Sequence, residues 1–310
     1  MQPPFEPISF LNARGLRLAG TLHRPVNPRP GLPAVILLSP GVKMRVGPGR
    51  LYVPITELLN DYGYTVLRFD FYGLGDSEGD LSETALIDIY NHVEVGRYVD
   101  DTLAAMRWMR EAHGFDSFML GGLCGGATTA ALTAERDPSV VQLLCIGLAI
   151  ALSTDAARPA QYLTRVELDQ RRRKYFHRLF KLRSWWRLIT FQSEYGVILH
   201  SLKRAIIKDP PKPLADPLSA PALQNANPLF PPAFFSFLRR GGRALLLFSE
   251  KDRLPSEFEE KFTAPYAESL QPFGSQMRLH TISNANHVLS MPEWRREALE
   301  VCREWLREVA

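Results

Sequence analysis

The 310 residues of this chain are 45% hydrophobic and 23% charged, which is typical of a soluble globular protein. The 37 basic and 33 acidic side chains leave a net charge of only +4, and no segment forms a sustained basic stripe, so nucleic acid is not an expected partner. The longest apolar run, residues 140–152, is interrupted by Gln142 and Gly147 and is too short to span a membrane.

The N-terminus and the cysteines point to a reducing compartment. The first ten residues lack a cationic stretch followed by an apolar segment, so no signal peptide is expected. Cys124, Cys145 and Cys302 form no close pair and have no metal-ligand spacing, which argues against disulfides and against a zinc site. We therefore predict a cytoplasmic protein with no metal and no cofactor.

The first 153 residues alternate between short strands and helices. Strands are predicted over residues 8–11, 16–22, 34–38, 65–70, 118–120 and 143–152. Helices are predicted over residues 52–61, 95–113 and 126–135. From residue 34 onward the strands are continuously apolar and alternate with helices, which indicates a parallel sheet covered on both faces.

This alternation stops between residues 154 and 237. Residues 156–207 have a helical composition rich in Arg and large aromatic side chains, and the Pro-rich segment from Asp209 to Pro232 is expected to be irregular. Two further strands, over 244–248 and 277–282, and a final helix over 292–309 resume the pattern. We predict an α/β core of residues 1–153 and 238–310, with residues 154–237 inserted as a helical cap and Pro-rich linker.

The strongest functional signal is the segment of residues 121–127, GGLCGGA, which matches the nucleophile elbow G-x-S-x-G with Cys124 in place of serine. At such an elbow a strand turns sharply into a helix, and small residues two positions before and after the nucleophile leave room for neighbouring elements. The helix N-terminus favours a thiolate. The alternative interpretation is a buried structural cysteine in a Gly-rich turn.

Asp252 and His287 complete a candidate triad with Cys124. Asp252 lies just past the C-terminal end of the predicted strand over 244–248, at the sheet edge where the functional groups of α/β proteins gather, although Glu250 and Asp155 are alternative acids. His287 lies between the last strand and the last helix, which gives the chain order nucleophile, acid, histidine. His287 would accept the thiol proton, and Asp252 would orient the imidazole.

An oxyanion forms when a nucleophile attacks an acyl group, and backbone N–H groups must stabilise it. Gly125, directly after the nucleophile, is expected to supply one donor. Val42, in the loop after the strand over 34–38, is expected to supply the second. An acyl-cysteine intermediate follows from this arrangement.

With these residues the chain resembles the α/β-hydrolase superfamily, specifically its serine-aminopeptidase-like and lysophospholipase-like hydrolases. Residues 69–79, FDFYGLGDSEG, are similar to a structural loop of that branch, so Asp76 and Ser77 are assigned no catalytic role. The resemblance implies an α/β-hydrolase fold: a mostly parallel eight-stranded sheet with helices on both faces and a helical cap insertion.

A closer resemblance is to the exosortase A system-associated hydrolases, and it rests on three segments: Arg45-Val46-Gly47, the Gly122-Leu123-Cys124 elbow, and Trp185-Trp186-Arg187-Leu188 in the cap. The chain departs from the wider superfamily in two places. Pro40 stands where a histidine often precedes the oxyanion glycine, and cysteine replaces the usual serine. Dienelactone hydrolases are similar in their cysteine triad, but they are shorter and lack a comparable cap.

The predicted function is hydrolysis of an ester or thioester, on a small molecule or a carrier-bound acyl group. Because a thioester intermediate is readily attacked by amines or carbanion-like acceptors, acyl transfer or cyclisation of a carrier- or CoA-bound chain is the alternative. A second alternative is a binding protein that lost catalysis when serine became cysteine. The Arg- and Trp-containing cap leaves peripheral membrane contact open, and the sequence does not specify the oligomeric state.

Overall fold

The computed structural model describes residues 5–83, 86–152 and 225–309. The strands of its single sheet are β1 (Glu6–Leu11), β2 (Arg17–His23), β3 (Ala34–Leu38), β4 (Val66–Phe69), β5 (Phe118–Leu123), β6 (Val140–Ile146), β7 (Arg243–Ser249) and β8 (Met277–Ile282). They lie in the order β1-β2-β4-β3-β5-β6-β7-β8. The pairs β1–β2 and β2–β4 are antiparallel, and every other pair is parallel. The predicted eight-stranded, mostly parallel sheet is therefore confirmed.

Helices cover both faces of this sheet. They are α1 (Tyr52–Asp61), α2 (Leu86–Glu94), α3 (Val99–His113), α4 (Gly125–Arg136), α5 (Phe230–Arg239), α6 (Leu254–Phe258), α7 (Ala267–Leu270) and α8 (Pro292–Val309). Short 3-10 turns at Pro48–Arg50 and Gln271–Gln276 and a π turn at Glu259–Thr263 complete the described secondary structure. None of the described helices is both long enough and apolar enough to cross a membrane.

The continuously apolar strands divide their side chains between two cores. In β3, Ala34, Ile36 and Leu38 point into the core shared with α2 to α5, whereas Val35 and Leu37 point into the core shared with α1 and α8. Because successive side chains of a strand face opposite sides of the sheet, a strand buried on both faces must be apolar at every position. This packing explains the sequence pattern that predicted the sheet.

One predicted helix and one predicted strand differ from the observed elements. The helix predicted over 95–113 begins only at Val99, and a separate helix, α2, precedes it with Ile89 and Val93 buried one turn apart. The strand predicted over 143–152 is wrong at its C-terminal end, because β6 ends at Ile146 and the buried residues that follow form a loop.

The end of the Pro-rich segment was also predicted wrongly. Instead of being irregular up to Pro232, the chain enters α5 at Phe230, so that Pro231 and Pro232 occupy the first turn. Proline is well tolerated there, because the N–H groups of the first turn have no intrahelical partner. The predicted cap boundary at 237 falls inside α5. The helix packs against α4 and the core of the sheet, so we assign it to the α/β domain.

Most of the predicted cap, including Trp185 and Trp186, lies outside the described residues. The two flanks of this segment meet each other: Ala151 pairs with Ala226, and the N–H of Leu152 donates to the carbonyl of Asn225 at 2.8 Å. Both flanks of the predicted cap therefore lie side by side, beyond the C-terminal end of β6.

Candidate active site

Cys124 stands at the sharp turn between β5 and α4, with φ 55° and ψ −121°. This conformation is rare and costly for a residue with a side chain, and it persists only where surrounding contacts impose it. Hydrogen bonds hold the turn on both sides: the N–H of Cys124 donates to the carbonyl of Ile146 at 2.9 Å, and its carbonyl accepts from the N–H groups of Ala127 and Thr128 at 2.9 and 3.1 Å. The turn has the geometry of a nucleophile elbow.

Close packing around the elbow explains the glycines at 122 and 126. A Cβ atom at Gly122 would lie 2.6 Å from the carbonyl carbon of Gly126, and a Cβ atom at Gly126 would lie 2.6 Å from the carbonyl oxygen of Leu38. Neither contact is sterically allowed. Both positions must therefore be glycine for β5, α4 and β3 to meet as they do.

The structure brings the three predicted triad residues together. Nδ1 of His287 lies 2.5 Å from Oδ2 of Asp252, and the imidazole also interacts with the Cys124 side chain. The His287 ring also lies above the start of the loop after β6, where a Cβ atom at Gly147 would be 3.5 Å from Cε1 of the ring. Asp252 is mostly buried, and His287 is about one-third exposed.

The electrostatics of this arrangement favour a cationic imidazole. The hydrogen bond to Asp252, and after it the interaction with Cys124, raise the pKa of His287 to about 10, although partial burial of the ring opposes the shift. An imidazolium beside a cysteine stabilises the thiolate, which is the reactive form of the side chain. His287 can therefore act as the charged partner of a cysteine nucleophile.

Backbone hydrogen bonds fix the loops that carry the acid and the histidine. The N–H of Asp252 donates to the carbonyl of Ser249 at 3.0 Å, and the N–H of Lys251 donates to the carbonyl of Ala285 at 2.9 Å. Oδ1 of Asp252 accepts a hydrogen bond from the N–H of Arg253 at 2.7 Å, so Oδ2 is the oxygen that pairs with the imidazole of His287.

Of the alternative acids, Asp155 lies outside the described residues. Glu250 does not contact the imidazole; its Oε2 accepts the N–H of Asn284 at 2.6 Å. This hydrogen bond holds the pKa of Glu250 below its usual range. Glu250 thus joins the loop after β7 to the loop that carries His287.

The loop after β3 lies directly against the elbow. A Cβ atom at Gly125 would lie 3.2 Å from Cα and 3.3 Å from the nitrogen of Gly41. Val42, the next residue, is partly buried at the edge of the core. Among the described residues, no protein group accepts a hydrogen bond from the N–H of Val42 or of Gly125. The contact between the loop and the elbow keeps both donors near Cys124.

A buried ion pair that the sequence did not reveal anchors this loop. The guanidinium of Arg45 pairs with Asp70, which is fully buried, and donates to Asp76 at 2.7 Å. The N–H of Arg45 donates to the same Asp70 at 2.6 Å. Ser77 donates its hydroxyl to the carbonyl of Asp70 at 2.6 Å. The 69–79 segment therefore has a structural role here: it fixes the position of the loop after β3.

Tyr52 is a second residue that sequence reasoning missed. Its hydroxyl donates to the carbonyl of Leu38 at 2.8 Å and accepts the N–H of Leu123 at 2.6 Å, so it connects the end of β3 to the residue before the nucleophile. The side chain is completely buried, and burial strongly raises the pKa of its hydroxyl, which stays protonated. In the sequence Tyr52 is one apolar position of an amphipathic helix, and nothing there indicates this contact.

The fold and the elbow define an α/β-hydrolase architecture. Residues 35–300 match the alpha/beta hydrolase family, and the chain belongs to that family. Among curated proteins none matches the chain.

Solved structures of the same fold include two esterases and a dienelactone hydrolase. The esterase Pf2001 of Pyrococcus furiosus is 17% identical with a TM-score of 0.58, over 98% of this chain and 92% of that chain. The esterase domain of a Rhodothermus marinus protein is 19% identical with a TM-score of 0.52, over 98% of both chains. Dienelactone hydrolase from Anabaena variabilis is 15% identical with a TM-score of 0.55, over 99% of both chains. At these identities the similarity establishes the fold alone.

The first prediction concerns the selectivity of thiol labelling. All three cysteines are free, but Cys145 and Cys302 are buried, and burial raises the pKa of each thiol to about 12. Iodoacetamide at pH 7.5 is therefore expected to alkylate Cys124 at least about tenfold faster than the other two, because only a thiolate reacts. Peptide mapping of the native protein by mass spectrometry measures the three rates. Equal rates would contradict an activated Cys124.

The second prediction concerns the hydrogen bonds of Tyr52. Replacing Tyr52 by Phe leaves the buried N–H of Leu123 without its partner, so Tyr52→Phe is expected to lower the free energy of unfolding by about 1–3 kcal/mol. Denaturant unfolding measures this loss. Tyr64→Phe is the matched control, because Tyr64 is equally buried and its hydroxyl has no partner among the described residues. An equal loss in both variants would show that the bridge contributes nothing specific.

The third prediction concerns the pH dependence of stability. Because the pKa of His287 is about 10 in the folded protein and about 6.5 in the unfolded chain, its protonation stabilises the fold fully below about pH 6.5. This contribution is lost as the pH rises through about 10. Asp252→Asn removes the main cause of the shift, so its deficit in unfolding free energy is expected to be larger at pH 6 than at pH 10.

Urea unfolding of the wild type and Asp252→Asn across this pH range measures the deficit. Asp61→Asn, at the exposed end of α1, is the control whose deficit should not vary with pH in this way. A deficit in Asp252→Asn that grows with rising pH would contradict the assignment.

Proposed function

We propose that this protein is an acyl hydrolase that cleaves an ester or thioester through an acyl-cysteine intermediate, with Cys124 as nucleophile, His287 as base and acid, and Asp252 as the group that orients His287. The observation that carries the proposal is the 2.5 Å contact between Nδ1 of His287 and Oδ2 of Asp252, in an imidazole that also interacts with a cysteine at a strained elbow. Membership of the alpha/beta hydrolase family supports it.

The reaction begins with the Cys124 thiolate paired to the His287 imidazolium. Sγ attacks the acyl carbon, and the electron pair of the C=O bond moves to oxygen, where the N–H groups of Gly125 and Val42 are the proposed donors. When the C=O bond re-forms, the bond to the alkoxide or thiolate leaving group breaks, and His287 protonates that group. His287, now neutral, then takes a proton from the water molecule that attacks the acyl-cysteine and releases the acid.

A thiol nucleophile suits activated acyl groups. A thioester releases a thiolate, and exchange of one thioester for another is close to thermoneutral, so the first step requires little driving force. An ester releases a poorer leaving group, and its departure depends on the proton that His287 supplies. The substrate class is accordingly a small-molecule or carrier-bound acyl compound. Nucleic acid is not among the proposed partners, and the proposed location is the cytoplasm.

The fourth prediction concerns hydrolysis of model substrates. With p-nitrophenyl esters and acyl-N-acetylcysteamine thioesters, Cys124→Ala is expected to abolish turnover. Asp252→Asn is expected to lower kcat by about 10²–10⁴, because it removes the acceptor that orients His287. Glu250→Gln, which changes the alternative acid, is expected to lower kcat much less. The kcat of Asp61→Asn should match that of the wild type. If Glu250→Gln were the more severe variant, the acid assignment would be wrong.

Product analysis separates hydrolysis from the two alternative functions. Free acid as the only product, with or without an added amine or alcohol acceptor, supports a hydrolase. Amide or ester product that increases with acceptor concentration would instead favour acyl transfer. Tight binding of an acyl compound without any turnover would support the binding-protein alternative.

A further inference from the structure

Helix α2, which the sequence analysis did not predict, lies against both parts of the proposed oxyanion site. Cε1 of Tyr90 would lie 3.1 Å from a Cβ atom at Gly41, and Cγ1 of Val93 would lie 2.6 Å from a Cβ atom at Gly125. Tyr90 and Val93 are three residues apart and so share one face of the helix. This face therefore contacts the loop after β3 and the elbow at the same time.

The sheet order places Tyr90 and His287 on opposite sides of Cys124. Strand β5, which ends at the elbow, has β3 on one side and β6 on the other. Tyr90 packs on Gly41, in the loop after β3, whereas His287 packs over Gly147, just after β6. The Tyr90 phenol is thus on the side where the two proposed backbone donors lie, away from the imidazole.

The hydroxyl of Tyr90 is available as a donor. The side chain is half-buried, and among the described residues its hydroxyl has no hydrogen-bond partner. Burial, and after it negative charge on nearby Cys124, raise the pKa of Tyr90 above its usual value. The phenol therefore stays protonated at neutral pH. It can donate its proton in a hydrogen bond to a developing negative charge without ionising.

The position of α2 is fixed at its C-terminal end. Asn227, which is completely buried, donates its side-chain N–H to the carbonyl of Glu94 at 2.5 Å, and its backbone N–H donates to the carbonyl of Ile150 at 2.8 Å. These bonds join α2 to the loop that follows β6. The helix that carries Tyr90 is therefore anchored to the α/β domain, as a preorganised donor requires.

We propose that the Tyr90 hydroxyl donates a hydrogen bond to the carbonyl oxygen of the acyl substrate as that oxygen becomes negative, and so acts as a side-chain donor beside Val42 and Gly125. The inference rests on the proposed function. It concerns the step in which the bond between Sγ of Cys124 and the acyl carbon forms and the C=O electron pair moves to oxygen. Tyr90 keeps its proton throughout, so the step adds no further proton transfer.

The fifth prediction separates this role from a structural one. Tyr90→Phe retains the ring against Gly41 but loses the donor, so acylation of Cys124 by an acyl thioester is expected to slow by about 10- to 100-fold. The effect should appear in kcat with little change in KM, because the oxygen becomes negative only in the transition state. Alkylation of Cys124 by iodoacetamide forms no oxyanion and is expected to proceed at the wild-type rate.

Tyr62→Phe is the matched control. Tyr62 is also half-buried, and its hydroxyl bonds to the carbonyl of Arg303 on α8, so this variant should acylate like the wild type. Stopped-flow or quenched-flow mass spectrometry of the acyl-enzyme gives the acylation rate of each protein.

Two outcomes would overturn the Tyr90 inference alone: equal acylation rates in the wild type and Tyr90→Phe, or equal slowing of acylation and alkylation, which would place the effect on the thiolate. If the wild type forms no acyl-cysteine with any acyl donor, the proposed function fails and the role of Tyr90 fails with it.

Discussion

The proposed site depends on one strained turn, at Cys124, and the close packing around it. The φ of 55° at this residue is unfavourable for any residue with a side chain. Gly122 packs on Gly126, and Gly126 packs on Leu38, so closely that any other residue at position 122 or 126 would clash. Strand β5, helix α4 and strand β3 meet at this point. The strain is thus offset by the packing of the surrounding core, and the turn places Cys124 at the end of β5.

Everything else in the site is positioned relative to that turn. On one side of Cys124, the paired loops after β7 and β8 hold Asp252 against His287, which carries a raised pKa. On the other side, the buried pair of Arg45 and Asp70 fixes the loop that contains Gly41, and Tyr90 packs on that loop. In the proposed mechanism the cation faces the nucleophile from one side and the proposed N–H and O–H donors act from the other, as a charge-separated transition state requires.

The sequence allowed the sheet and the candidate triad to be predicted because each depends on local patterns. Continuously apolar strands, the spacing of glycines about Cys124, and polar residues after strands all leave a signature in the chain. The contacts of Tyr52, Arg45 and Tyr90 left none, since each contact joins residues that are distant in sequence. Helix α5 was missed for a local reason: Pro231 and Pro232 suggested irregular structure, but they occupy a first turn, where proline fits.

The role of Cys124 as nucleophile is tested most directly by intact-protein mass spectrometry after rapid mixing with short- and medium-chain acyl thioesters. We expect a mass increase of one acyl group, assigned to Cys124 by peptide mapping, that is absent in Cys124→Ala and accumulates far more slowly in His287→Ala. No adduct and no turnover in the wild type, or an adduct that persists in Cys124→Ala, would contradict the claim that Cys124 is the nucleophile.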